Sequence, residues 1–120
     1  MANTENDLRI DYTELPATNL KEMKRFYSEV FGWSFHDFGE DYIAFSDGRI
    51  SGGFYSLAAT HSPGVLVVVY AVDLAETERK VLAAGGKIIR PVFDFPGGRR
   101  FHFTDPSGNE LAVWSEVEEG

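Results

Sequence analysis

The sequence predicts an α+β fold built from two successive β-α-β-β-β modules, the first over about residues 8–57 and the second over about 65–115. Three observations predict it. Apolar residues recur with a period of two, then of about 3.6, then of two again, and the chain runs through that cycle twice. Asp73-Leu74 follows Asn19-Leu20 by 54 positions, each pair heading a helical stripe, and Gly86 follows Gly32 by the same interval. A helix start and a helix stop repeated at one interval mark an internal repeat. The length of 120 residues and mass of 13.4 kDa hold one domain.

Leu8, Ile10 and Tyr12 alternate with polar residues up to Pro16 and form the first expected strand. Leu20, Met23, Phe26, Tyr27, Val30 and Phe31 then recur at steps of three and four, the stripe of an amphipathic helix. Asn19 and Glu22 have the spacing of a capping box, and Gly32 stands where a left-handed C-terminal residue is wanted. Three strands are expected at Trp33 to Phe38, Tyr42 to Phe45 and Ile50 to Leu57, parted by the turn signals Gly39-Glu40 and Asp47-Gly48. Ala58 to Gly64 has no periodicity and reads as the connection to the second module.

The second module opens with a β-branched run, Val65 to Val72, and a helix from Asp73, with Glu76 three positions on, to Gly85-Gly86. Lys87 to Val92, Arg99 to Thr104 and Asn109 to Ser115 complete it as strands. Gly52-Gly53 within a strand suggests a bulge or a close approach by a ligand or another backbone. Gly97-Gly98, beside Asp94-Phe95-Pro96, reads as a flexible rim or as a plain turn.

Composition narrows the function classes. With 43% hydrophobic and 14% aromatic residues the chain is a folded globule, not a disordered one. The absence of cysteine removes disulfide scaffolds, thiolate nucleophiles, zinc ribbons and cysteine-held iron-sulfur clusters. A net charge of -8 repels phosphate backbones, so nucleic acid is not an expected partner. The acidic ends, Glu5-Asn6-Asp7 and Glu116 to Glu119, read as solvated charge. No apolar run is long enough to span a bilayer, and Met1 to Asp7 lacks the parts of a signal peptide. A soluble protein of a reducing cytoplasm, without membrane partners, is expected.

Leu15-Pro16-Ala17-Thr18-Asn19-Leu20, the stretch Phe26 to Trp33 and Thr104-Asp105-Pro106-Ser107-Gly108-Asn109-Glu110-Leu111 resemble the vicinal-oxygen-chelate superfamily of glyoxalase I, bleomycin-resistance proteins and extradiol dioxygenases. The resemblance covers the chain from Leu8 to Trp114. It implies that the two modules curl their sheets into a cup, commonly with two chains pairing so that strands of both line the cavities. A homodimer is therefore expected. Read for physics alone, Phe26, Tyr27, Phe31 and Trp33 are core residues, and Asp105-Pro106-Ser107-Gly108 is a type I turn.

In metal-dependent members the pattern places His or Glu on the first strand, on a late strand of the first module, on the first strand of the second and on the last strand. Those positions fall here on Tyr12, within Ile50 to Leu57, on Val67 and on Ala112. None is a good ligand for a divalent ion. Glu14 and Glu110 lie near two of them, but no donor lies between Val65 and Val72. No metal and no other cofactor is expected, and ordinary glyoxalase or dioxygenase chemistry loses the Lewis acid or redox metal it needs.

A polar patch inside the cup is the expected replacement. If Leu111 and Val113 pack on the helices, alternation puts Glu110, Ala112 and Trp114 on the concave face, beside Arg100 and His102 of the neighbouring strand. Tyr12, Glu14, Arg100, His102, Glu110 and Trp114 would then line one small-molecule cavity. Arg100 with Glu110 admits a second reading, a structural ion pair across two strands. His61 reads as a solvated loop residue, and His36 faces either way.

Two functions fit these residues. One is metal-free binding of a small aromatic or cationic molecule between Trp114, Tyr12 and the acidic groups. The other is a lyase or isomerase with His102 or Glu14 as general base and Arg100 holding a developing oxyanion. Binding is preferred, because no nucleophile with an adjacent base is visible in the sequence.

Overall fold

Two four-stranded sheets share one aromatic core in a computed structural model that describes residues 5, 7–8, 10, 12–58 and 65–116. The elements run β1 (Tyr12–Ala17), α1 (Leu20–Phe31), β2 (Ser34–Asp37), β3 (Tyr42–Ser46), β4 (Ser51–Ser56), β5 (Val67–Tyr70), α2 (Leu74–Ala83), β6 (Lys87–Phe95), β7 (Gly98–Thr104) and β8 (Glu110–Glu116). The first sheet has the order β1-β4-β3-β2 and the second β5-β8-β7-β6. In each, the strand before the helix pairs in parallel with the last strand of its module, and the other pairs are antiparallel. The expected repeat of β-α-β-β-β is thus present twice, with each sheet curled but not closed. Among the described residues no helix is long and apolar enough to cross a membrane. His61, most of the connection before β5 and the acidic end beyond Glu116 lie outside the described residues.

Helix limits follow the capping chemistry. The Asn19 side chain accepts from the Glu22 backbone N–H at 3.1 Å and that of Asp73 from Glu76 at 3.0 Å, each satisfying one of the orphan donors of a first turn. Gly32 closes α1 with φ 72°. In α2 the left-handed residue is Gly85, with φ 97°, and not Gly86, the position that repeats Gly32. Gly86 instead lies tight against Val81 and Phe26, where any side chain would collide.

The first strand departs from its expected start. Leu8 and Ile10 are exposed, and among the described residues the first one paired with β4 is Tyr12, opposite Ser51. β1 also runs on through Pro16, which an edge strand tolerates because one side of its ladder is unpaired. The Gly52-Gly53 pair makes no bulge: the register on both sides of β4 is continuous. The pair serves the close-approach alternative, with neighbouring side chains doing the approaching. Gly52 lies under the Phe45 ring and the Thr13 carbonyl, and Gly53 lies under Tyr42.

α1 packs on both sheets at once. Tyr27 stacks on Trp33 at 4.7 Å and on Phe54 at 5.2 Å, while Phe26 and Phe31 meet Phe103 of β7 at 6.0 and 6.2 Å. Met23, Phe26, Tyr27, Phe54, Phe101, Phe103, Leu111 and Val113 are fully buried. The turn Asp105 to Asn109 fastens the two modules. Tyr27 donates its hydroxyl to Asp105 Oδ2 at 3.0 Å, Asn109 Nδ2 donates to the Pro16 carbonyl at 2.7 Å, and the Thr18 backbone donates to Ser107 Oγ at 2.8 Å. Asp105 also accepts from the backbone N–H groups of Ser107 and Asn109 at 2.9 and 3.0 Å.

Tyr27→Phe should cost about 1–3 kcal/mol, since it leaves a buried carboxylate short of a donor, and urea unfolding measures it. Burial raises the Asp105 carboxyl above its usual range against the pull of its hydrogen bonds, so the folded state holds that proton to higher pH than the unfolded state. Its contribution to stability is therefore full below the ordinary carboxylate pKa and falls as pH rises to the folded value. Unfolding curves of Asp105→Asn across that window should lose this part of the wild-type slope.

Candidate functional site

The core takes one face of each sheet and leaves the other for chemistry. Phe101, Phe103, Leu111 and Val113 face the helices, so Arg100 and His102 of β7 and Glu110, Ala112 and Trp114 of β8 share the concave face. Register places His102 opposite Ala112, Arg100 opposite Trp114 and Thr104 opposite Glu110. Glu110 and His102 are thus diagonal neighbours, and the Glu110 carboxylate meets His102 Nδ1 at 2.8 Å. The pair of Arg100 with Glu110, the structural reading of those two residues, does not form: Glu110 is engaged by the histidine.

His102 is only 6% exposed, although its strand face is the concave one. Phe93 covers it, with ring centroids 5.8 Å apart. A carboxylate on Nδ1 fixes the proton there in the neutral ring and leaves the Nε2 lone pair free. His102 Nε2 and Arg100 Nε are both buried without a hydrogen-bond partner. Leaving one such group unsatisfied costs about 1–3 kcal/mol, and the aromatic side chains around them supply no conventional hydrogen-bond partner.

Those surroundings come largely from β6. Two register irregularities, between Ile88 and Arg90 and between Arg90 and Phe93, set Arg90 opposite His102, Phe93 opposite Arg100 and Phe95 opposite Gly98. The Arg90 guanidinium lies 3.8 Å over the Phe93 ring, and that of Arg100 lies 5.3 Å from Phe93 and 5.7 Å from Phe95. Trp114 meets Phe95 at 6.2 Å and Tyr70 at 5.2 Å. Arg90, Phe93, Phe95 and Tyr70 were missing from the site expected from the sequence. Pro91 was the available signal, since a proline inside a strand points to an edge or a bulge. Gly98 packs beneath Phe95 and Trp114, and Gly97, with φ 101°, makes the β6–β7 turn.

Tyr12 and Glu14 lie elsewhere. Both are on the exposed face of the first sheet, where Tyr42 crosses over Gly53 to donate to Glu14 Oε2 at 2.8 Å and to meet the Tyr12 hydroxyl. Desolvation first, then the hydrogen bonds with Tyr12 and Glu14, raises the Tyr42 phenol well above its usual range. Beside this trio a cavity of about 450 Å³ is lined by Tyr12, His36, Phe38, Ala44 and Ser46, among others. Another, of about 510 Å³, lies between the start of α1 and the β2–β3 turn. Among the described residues no hydrogen bond, ion pair or ring contact joins the Tyr12 group to the His102 group. The chain brings the six expected site residues together as two groups on two sheets, in place of one shared cavity.

A family-type metal does not fit the residues present. Val67 packs against the core, and the concave position on β5 is Val68, opposite Ala112; both are aliphatic. Among the described residues no three His, Asp or Glu side chains gather as a ligand set. His102 and Glu110 spend their reach on each other.

Two substitutions separate the sheet faces. Phe103→Ala should cost about 3–5 kcal/mol by leaving a cavity in the core. His102→Ala should cost about 1–2 kcal/mol, because a half-exposed Glu110 regains water when its partner goes. Chemical denaturation of both variants measures the contrast. In the first sheet, Glu14→Gln should lower the Tyr42 pKa, which ultraviolet titration of the phenolate reads.

Comparison with known proteins fits this architecture. The profile of the Glyoxalase/Bleomycin resistance protein/Dioxygenase superfamily matches residues 9–113. CFP32 of Mycobacterium tuberculosis, which carries a provisional glyoxylase name, is 24% identical over 87% of this chain, and the chain spans 44% of its length. Among solved structures, a glyoxalase/bleomycin resistance protein/dioxygenase family enzyme from Burkholderia phytofirmans superposes with a TM-score of 0.79 at 16% identity, covering 90% of this chain and all of the other. The fosfomycin resistance protein FosX from Mesorhizobium loti gives 0.74 at 16% identity, covering 92% and 93%. At such identities the structures speak for the fold alone, and the profile match carries the assignment: this chain belongs to the Glyoxalase/Bleomycin resistance protein/Dioxygenase superfamily.

Proposed function

We propose that the chain is a metal-free small-molecule-binding member of this superfamily, acting in the cytoplasm, with an aromatic ligand seated on the concave face of the second sheet. One observation carries the reading. Arg100 Nε and His102 Nε2 are buried, unpartnered and next to one another on a surface of Phe93, Phe95 and Trp114. A few polar atoms among aromatic rings make a small-molecule site, and unsatisfied ones favour a ligand that brings their partners. That a structural relative confers fosfomycin resistance agrees with small-molecule handling on this fold.

A second reading rests on the His102–Glu110 pair. The carboxylate holds the ring as the Nδ1–H tautomer, which leaves Nε2 as a base, and Arg100, two residues away on the same strand face, would be the group to hold an oxyanion formed by proton removal. That is the equipment of a lyase or isomerase. Glu14, the other candidate base, is held by Tyr42 on the first sheet.

Native mass spectrometry with elemental analysis, on protein from its own host, tests the binding reading. A retained organic ligand with no stoichiometric metal is expected. Stoichiometric nickel, zinc or iron, with a melting temperature that falls on chelation, overturns it. Recovery of the retained ligand, incubated with fresh protein, in an isomerised or cleaved form favours the enzyme.

A homodimer accompanies this proposal. β5 is an edge strand, and Val68 and Tyr70 on it, with Val65 and Val72 flanking it, are exposed, a surface that a second chain would cover. Sedimentation equilibrium at micromolar concentration should give twice the 13.4 kDa chain mass. A single 13.4 kDa species refutes pairing.

A further inference from the structure

We propose that the ligand of the second-sheet site is an aromatic acid, its anionic group held by the Arg100 guanidinium with Arg90 beside it. The inference rests on the binding reading and adds the sign of the ligand's charge.

The charges around the site are unequally matched. Each nearby carboxylate has a partner of its own: Glu110 takes His102 Nδ1, Glu116 takes the Tyr70 hydroxyl, and Asp94 pairs with Arg99 at 3.4 Å. Among the described residues the Arg100 and Arg90 side chains make no ion pair and no hydrogen bond, and each rests its guanidinium on the Phe93 ring. A guanidinium lying on an aromatic face keeps its in-plane donors free, and a planar fork matches a carboxylate with two parallel hydrogen bonds. Arg100 is the better placed of the two. Its Nε is already out of water and its side chain is half-buried, so the fork gives up little hydration to an oxyanion that meets its outer donors. Trp114, directly opposite Arg100, and Phe95 supply the flat apolar walls for the ring that carries the acid.

The chain as a whole repels such a ligand, because its net charge is -8. Recognition must therefore be local, which a half-buried guanidinium among aromatic rings supplies and a diffuse field does not. A cation, the other ligand class that the sequence left open, would meet two arginines here and no free carboxylate.

Isothermal titration with three probes of one shape tests the proposal: naphthoate, naphthamide and naphthylmethylammonium. Naphthoate should bind the wild-type protein most tightly. Arg100→Gln, which keeps much of the stem and lets thermal unfolding confirm the fold, should weaken naphthoate by about tenfold or more and leave naphthamide unchanged. Arg49→Ala, on the β3–β4 turn, removes the same charge away from the site and should change nothing. If naphthamide or the ammonium probe binds the wild type as tightly as naphthoate, or Arg100→Gln leaves naphthoate unaffected, the acid is wrong while the aromatic site stands. If none of the three binds, the site reading falls as well.

Discussion

The buried carboxylate of Asp105 is the constraint on which the arrangement of the two modules depends. It sits on the turn between β7 and β8, yet one of its donors is Tyr27, in the middle of the other module's helix. Asn109, which also donates to Asp105, turns its amide to the Pro16 carbonyl of β1. Desolvation makes an ionised group in this place costly; three of its four donors come from its own turn, and the fourth, Tyr27, reaches it only when the two modules are docked. The network therefore specifies one relative placement of the sheets. A purely apolar contact between Phe26 and Phe103 would tolerate sliding, whereas a carboxylate that loses a donor does not.

That placement decides which faces remain for a ligand. Because α1 fills the space between the sheets, one face of each sheet packs on the aromatic core, and the other face carries the polar side chains together with rings such as Tyr12, Tyr70 and Trp114. The second sheet then differs from the first in one respect. Its β6 is long and irregular enough to bring Phe93 and Phe95 across the concave face, so His102 and Ala112 are buried there without belonging to the helix-side core. The first sheet has no such cover, and its Tyr12–Tyr42–Glu14 trio stays open to solvent. Two modules of one repeated pattern thus differ in that aromatic side chains of β6 cover the polar residues of the second sheet, while the first keeps an open face.

Much of the fold was legible because it was written in short-range signals. Asn19, Asp73 and Gly32 act within a turn of their own position, and alternation in β7 and β8 needed only the knowledge that Phe103 and Leu111 are inside. The site was legible only in part. His102, Glu110, Arg100 and Trp114 were placed on the right face, but which of them touch depends on register. A two-residue offset between β7 and β8 gives Glu110 to His102 and sets Arg100 against Trp114. Single-residue irregularities hid more: the extra residues in β6 turned Arg90 onto the concave face, and a shift of one on β5 exchanged Val67 for Val68. Joining Tyr12 and Glu14 to the same cavity required the distance between two sheets, which no local pattern encodes.

The Gly52-Gly53 pair shows how one strand serves stability and site chemistry with the same device. On the core side Gly52 yields its volume to the Phe45 ring, which stacks on Trp33 at 4.6 Å, and a methyl group there would press on a backbone carbonyl that cannot move. On the open side Gly53 yields its volume to Tyr42, whose hydroxyl must cross the whole width of β4 to reach Glu14 on β1. The neighbour displaced by a methyl group at Gly53 is only the free end of a side chain. Gly52→Ala should accordingly cost about 2 kcal/mol or more in unfolding free energy. Gly53→Ala should cost well under that and instead release Tyr42, returning its phenol toward the ordinary range. Equal destabilisation by the two changes, with the Tyr42 titration unmoved, would show that the tyrosine does not need the bare strand to make its reach.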